Sequence, residues 1–134
     1  MARLNPKREM PLRLTAAFLL WALLAACRSP NSPPNPTLSP LETRGRSVFD
    51  STCSRCHGRS GETVIVGPSL AGIATRGGSR IEGMDAPTYI RNSILSPNAY
   101  VVEGFAEGLM PENLKDQLST QDVDAVVAYL LTLK

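Results

Sequence analysis

The chain has 134 residues, enough for one domain and not for two. Its formal charge of +2 comes from 14 basic and 12 acidic residues, but from Cys27 onward there are 10 basic and 11 acidic residues, a charge of −1, which argues against nucleic-acid binding. There are three cysteines and one histidine, and one cysteine lies far from the others, so the four grouped ligands of a structural zinc site are missing.

Met1 to Arg13 carries Arg3, Lys7, Arg8 and Arg13 against Glu9, and Leu14 to Ala26 is a run of 13 residues that are apolar or small apart from Thr15. A basic start followed by such a run is the pattern of a secretory signal, and it is short for a transmembrane helix. A short uncleaved membrane anchor is the alternative. The run ends in Leu24-Ala25-Ala26-Cys27, which resembles the lipobox of bacterial lipoproteins. That resemblance implies a lipoprotein signal peptide over 1–26, a diacylglyceryl group on Cys27, and a domain held at the extracytoplasmic face of a bacterial cell membrane. Small residues at 25 and 26 suit a peptidase, and two or more acyl chains give stable attachment. An ordinary signal with a stray cysteine is the plainer reading; it also places the domain outside the cytoplasm. Residues 27–40 then form the lipidated N-terminus and a tether with prolines at 30, 33, 34, 36 and 40. Fully extended as polyproline, Ser29 to Pro40 spans roughly 35 Å.

The globular domain is expected over 41–134. Ser39-Pro40-Leu41-Glu42 is a capping box with proline at the first helical position, and it predicts a helix to about Thr52 with Leu41, Gly45, Val48 and Phe49 on one face. Cys53-Ser54-Arg55-Cys56-His57 follows at its end. Two thiols three positions apart and an adjacent imidazole suit covalent capture of a haem: each sulfur can add to a vinyl group and the histidine can ligate the iron. Accidental or disulfide-forming cysteines are the alternative. A thioredoxin-like redox pair would need a βαβ pattern, which is absent.

Gly58 to Gly67 reads as a loop, and the glycine-rich stretch from Gly72 to Gly83 predicts little regular structure. A second helix is predicted from Ala86 or Pro87 through Leu95, with Asp85 near its cap, Tyr89, Ile90, Ser93 and Ile94 inward, and Pro97 as its stop. Asn98 to Asn113 is irregular. The last helix is marked by the cap Ser119-x-x-Asp122, a hydrophobic staple of Leu118 with Val123, and Val123, Val126, Val127 and Leu130 at helical spacing. No strand pattern and no repeat is present. Three short helices joined by long loops make a meagre core unless something large and apolar fills the middle.

From Leu41 to Lys134 the chain resembles a class I cytochrome c. Gly45 and Phe49 match the glycine and aromatic of that family's first helix, and Tyr129 matches the aromatic of its last. The resemblance implies an all-α fold of three or more short helices wrapped around one covalently bound haem c, held through Cys53 and Cys56. It implies His57 as the proximal iron ligand, hydrogen-bonded by the carbonyl of Pro68 in Gly67-Pro68-Ser69-Leu70. Arg76 falls where some members hold a haem propionate, although a solvated loop arginine looks the same in sequence. Once the signal leaves, Met84 and Met110 remain as candidates for the sixth ligand. Met110, followed by proline and preceding the last helix, matches the family's distal methionine; Met84 comes too early for that topology.

His/Met ligation leaves no open coordination position, so the expected activity is outer-sphere electron transfer and not catalysis by the chain itself. Two functions fit: a membrane-tethered carrier of single electrons between respiratory or photosynthetic complexes, or a fixed cytochrome subunit of a larger quinol-oxidising or terminal oxidase complex. The second is suggested because the stretch from Ser93 to Tyr100, continuing to Met110-Pro111, is similar to cytochrome domains of oxidase subunit II. A haem sensor or peroxidase-like protein would need an exchangeable ligand. The expected partners are redox protein complexes and, through the lipid, a membrane.

Overall fold

The computed structural model describes residues 37–134. The expected signal peptide, Cys27 and the tether up to residue 36 lie outside the described residues. Helix α1 spans Pro40–Val48 and runs on as a π-helical turn over Phe49–Cys53. Its start is set by local chemistry: the Glu42 N–H donates to Ser39 Oγ at 3.3 Å, and the Ser39 N–H donates to Glu42 Oε2 at 2.7 Å. In the π turn the Ser54 N–H reaches back five residues to Phe49 O at 2.9 Å, so the helix delivers Cys53 directly into the motif.

The helices that follow are α2 (Ile73–Arg76), α3 (Ala86–Leu95), α4 (Leu114–Gln117) and α5 (Thr120–Leu130), with a 3₁₀ turn at Gly77–Ser79 between α2 and α3. No strand occurs among the described residues; an isolated antiparallel bridge joins His57 and Val64. The predicted all-α fold is therefore the observed one. Among the described residues no helix is long and apolar enough to cross a membrane.

The largest helix–helix contact is between α1 and α5, and glycine makes it possible. A Cβ on Gly45 would lie 1.9 Å from Ala125 O and 2.7 Å from Tyr129 Cβ, so the backbones meet where α1 has no side chain. One turn further on, the rings of Phe49 and Tyr129 pack with centroids 5.7 Å apart at 54°. Val123, Val126, Val127 and Leu130 are all buried, as their spacing predicts, and Leu118 packs partly buried beside them. The Arg44–Asp122 ion pair at 2.8 Å also links α1 to α5, but Arg44 is half exposed and the pair adds little stability.

Three local expectations are revised. Leu41 is not on the buried face; it is 49% exposed, while Leu38 packs against the core instead. Residues spaced by four drift about 40° around a helix per step, so Leu41 has turned well away from Phe49. The glycine-rich stretch does hold regular structure, because Ile73 is drawn into the core and Gly77 is buried against Ala86 and Tyr89. A short helix, α4, precedes the last one because Leu114 is buried and anchors a turn there. Helix α3 matches its predicted bounds, with Asp85 Oδ1 accepting from the Thr88 N–H at 2.9 Å and Tyr89, Ile90 and Ile94 buried.

Candidate functional site

The motif at the end of α1 closes on itself. The N–H groups of Cys56 and His57 both donate to Cys53 O at 3.0 Å, which turns the two thiols and the imidazole toward one cavity of about 460 Å3. That volume suits a cofactor-sized ligand. The lining is mostly apolar and is contributed by the motif, the Gly67–Leu70 segment, α3 and the irregular stretch up to Pro111. Cys53 and Cys56 are free thiols, each partly buried. Burial, with the neighbouring Cys56 second, pushes the Cys53 thiol up to about 11, so the unmodified side chain is held neutral in this pocket.

His57 is the most constrained side chain of the site. Its Nδ1 lies 2.8 Å from Pro68 O, and a carbonyl can only accept, so Nδ1 carries the proton and Nε2 keeps its lone pair. That is the tautomer a metal-ligating imidazole needs. Gly67 forms a cradle for the ring: a Cβ at 67 would stand 2.5 Å from His57 Cε1 and 3.0 Å from both ring nitrogens. The Gly67 N–H donates to Cys56 O at 2.9 Å, so this backbone cannot easily withdraw.

Met110 also lines the cavity, on a loop held from both sides. Asn98 Oδ1 accepts from the Gly108 N–H at 2.9 Å, and its amide donates to the Glu112 carboxylate. Met84 is absent from the lining; its sulfur faces the Asn92 amide at 3.8 Å. Of the two methionines, the fold brings only Met110 to the cavity that holds Cys53, Cys56 and His57.

Three arginines reach the lining: Arg55, which is exposed, and Arg76 and Arg80, which differ in their partners. Arg76 donates from Nη2 to Ser69 O at 2.6 Å and from Nη1 to Ala71 O, clamping the backbone that follows Pro68. Arg80 has a buried Nε with no hydrogen-bond partner. Sequence reading did not single out Gly67 as a ring cradle, Asn98 as a loop brace, or Arg80. Each depends on a neighbour distant in sequence, and only the Gly67-Pro68 dipeptide carried a local signal.

The fit to a haem rests on these features together. An apolar cavity presents two thiols at the attachment spacing, an imidazole with its ring lone pair free, and a thioether. Among the described residues there is no cluster of three or more His, Cys, Asp or Glu side chains that could hold a bare metal ion. An iron carried inside a flat, largely apolar macrocycle with carboxylates at its edge matches what the walls offer. No curated protein matches the chain. The family model described as cytochrome c, however, matches residues 42–134, from the first turn of α1 to the C-terminus and across every wall of the cavity, and the chain belongs to this family of covalently haem-bearing electron-transfer proteins.

Proposed function

We propose that this cytochrome c is a membrane-tethered, mono-haem carrier that moves single electrons between redox protein complexes at the extracytoplasmic face of a bacterial membrane. The observation that carries the haem part is the His57 Nδ1–H···O=C Pro68 bond of 2.8 Å beside Cys53, Cys56 and Met110 on one cavity. The tether rests on the lipobox-like Leu24-Ala25-Ala26-Cys27 and the proline-rich segment after it.

Once bound, the haem supplies an iron centre that gains or loses one electron. Cys53 and Cys56 hold it through thioether bonds, so it cannot dissociate during turnover. His57 would hold the iron through Nε2, with the bond to Pro68 fixing the ring and raising its basicity. Met110, on its braced loop, would also hold the iron, and its soft thioether would favour the reduced state. With His57 and Met110 both holding the iron, no place would be left on it for a substrate, and the apolar walls would shield it from water. Transfer of a single electron would need no acid/base pair or nucleophile from the chain.

The test is fractionation of cells that make the wild-type and Cys27→Ser proteins, followed by haem staining on denaturing gels. We expect haem to stay with the polypeptide in both, since attachment depends on Cys53 and Cys56. The wild-type band should be in the membrane fraction and the Cys27→Ser band in the soluble fraction. Membrane retention of a Cys27→Ser protein whose leader has been removed would refute the lipid tether. A polypeptide without bound haem would refute the site.

A further inference from the structure

A loop that must present one side chain in one place is usually fixed by main-chain hydrogen bonds or by burial. The loop carrying Met110 has little of either. From Ala106 to Glu112 no backbone group bonds to another backbone group among the described residues: the nearest such bonds run from the Phe105 N–H to Val102 O before it and from the Asp116 N–H to Asn113 O after it. Apart from Met110, every residue from 106 to 112 is exposed, and Gly108, with φ of 75°, has nothing around its Cα that a side chain would touch. What holds the loop is the side chain of Asn98. Its Oδ1 accepts from the Gly108 N–H at 2.9 Å and its amide donates to the Glu112 carboxylate, two residues before Met110 and two after it. An amide carries an acceptor and a donor on one planar group, which is what bridging an N–H and a carboxylate requires. Asn98 is itself mounted on a firm support just past α3, where the Ser96 N–H donates to Asn92 O at 2.8 Å and the Ala99 N–H donates to Ser96 O at 2.9 Å.

We propose that Asn98 is a positioning residue for Met110: by tying Gly108 and Glu112 to the end of α3 it keeps the thioether at the cavity, and so keeps small ligands such as imidazole off the iron. The loop then has a closed arrangement, tied by Asn98, and an open one. A ligand that competes with Met110 binds the open one, so its apparent affinity reads how far the tie holds the loop closed. The inference rests on the reading that Met110 holds the iron.

The test titrates oxidised holoprotein with imidazole and follows the visible spectrum, with hydrogen exchange at the Gly108 amide as a second readout. Asn98→Ala loses both bonds; imidazole should bind about tenfold more tightly and the Gly108 amide should exchange faster. Asn98→Asp keeps an acceptor for Gly108 but sets a carboxylate against that of Glu112, and it too should bind imidazole more tightly than wild type. Adding Glu112→Gln to Asn98→Asp lets the new amide donate to the new carboxylate, restoring the tie with donor and acceptor exchanged. The affinity should return toward the wild-type value, a recovery that general damage to the fold would not give. Wild-type imidazole affinity in Asn98→Ala overturns the proposal, as does a double variant that binds imidazole as tightly as Asn98→Asp alone. A wild-type spectrum without the methionine-to-iron charge-transfer band would overturn the reading of Met110, and the proposal with it.

Discussion

Gly67→Ala tests how tightly the fold holds His57. The added Cβ would sit 2.5 Å from His57 Cε1, where ordinary contact begins near 3.4 Å, so ring and backbone must part by about 0.9 Å. Neither moves freely. The ring is bound to Pro68 O at 2.8 Å, and the Gly67 N–H is bound to Cys56 O at 2.9 Å. If the ring yields, the bond to Pro68 stretches beyond hydrogen-bonding range and leaves a shielded acceptor unpaired, a cost of about 1–3 kcal/mol. If the ring stays, the crowding costs about 1–3 kcal/mol. The protein takes the cheaper of the two, so a net loss of about 1–3 kcal/mol is expected, equivalent to roughly 0.3–1 M in the guanidinium midpoint for a domain of this size. The assay is guanidinium unfolding of the haem-loaded protein by far-ultraviolet circular dichroism, with visible spectra recorded on the folded form. Gly78→Ala is the control: its Cβ would meet nothing closer than Ala86 N at 3.6 Å and its φ is not positive, so a change within about 0.5 kcal/mol is expected. A Gly67→Ala protein with wild-type midpoint and wild-type spectrum would show that the cradle does not position His57.

Met110→Ala should keep its covalent haem but lose the methionine-to-iron charge-transfer band, admit carbon monoxide in the reduced state and show a lower midpoint potential, whereas Met84→Ala should do none of these. The reverse pattern in the two spectra would overturn the assignment. Gly45→Ala should lower the Tm by about 10 °C or more, because crowding against the α5 backbone outweighs the ~1 kcal/mol that alanine gains in helix propensity. Differential scanning calorimetry of the holoprotein reads this directly. The Asp122 carboxyl is held below its ordinary value of 3.8 by the Ser119 side chain first and by Arg44 as well. Its contribution is therefore present above 3.8 and disappears as pH falls through the lowered folded-state value. Asp122→Asn should lower the denaturation midpoint near neutral pH, and the gap to wild type should close in strong acid; a gap that persists there would refute the cap and ion pair as its source.

How much could be read without the fold depended on how local each signal was. The caps at Ser39, Asp85 and Ser119 bind N–H groups three residues on, so their helices start at or within a residue of the expected positions. The attachment motif spans five consecutive residues, and its chemistry is legible from spacing alone. The Gly67-Pro68 pair was legible only through resemblance, since nothing within ten residues says that the Pro68 carbonyl will face an imidazole.

What the sequence determined by itself was the cofactor and the helices with strong caps. The tertiary structure alone decided contacts made across long stretches of chain. It turned Leu41 to solvent because helical drift carries that position away from the α5 crossing. It built α2 and α4 around Ile73 and Leu114, whose burial outweighs weak local propensity. It also divided two arginines that look alike in sequence. Arg76 and Arg80 are four residues apart in one glycine-rich stretch, yet one meets backbone carbonyls and the other leaves a buried N–H at the cavity wall. That difference comes from where neighbouring backbone and α3 stand, which no local pattern encodes.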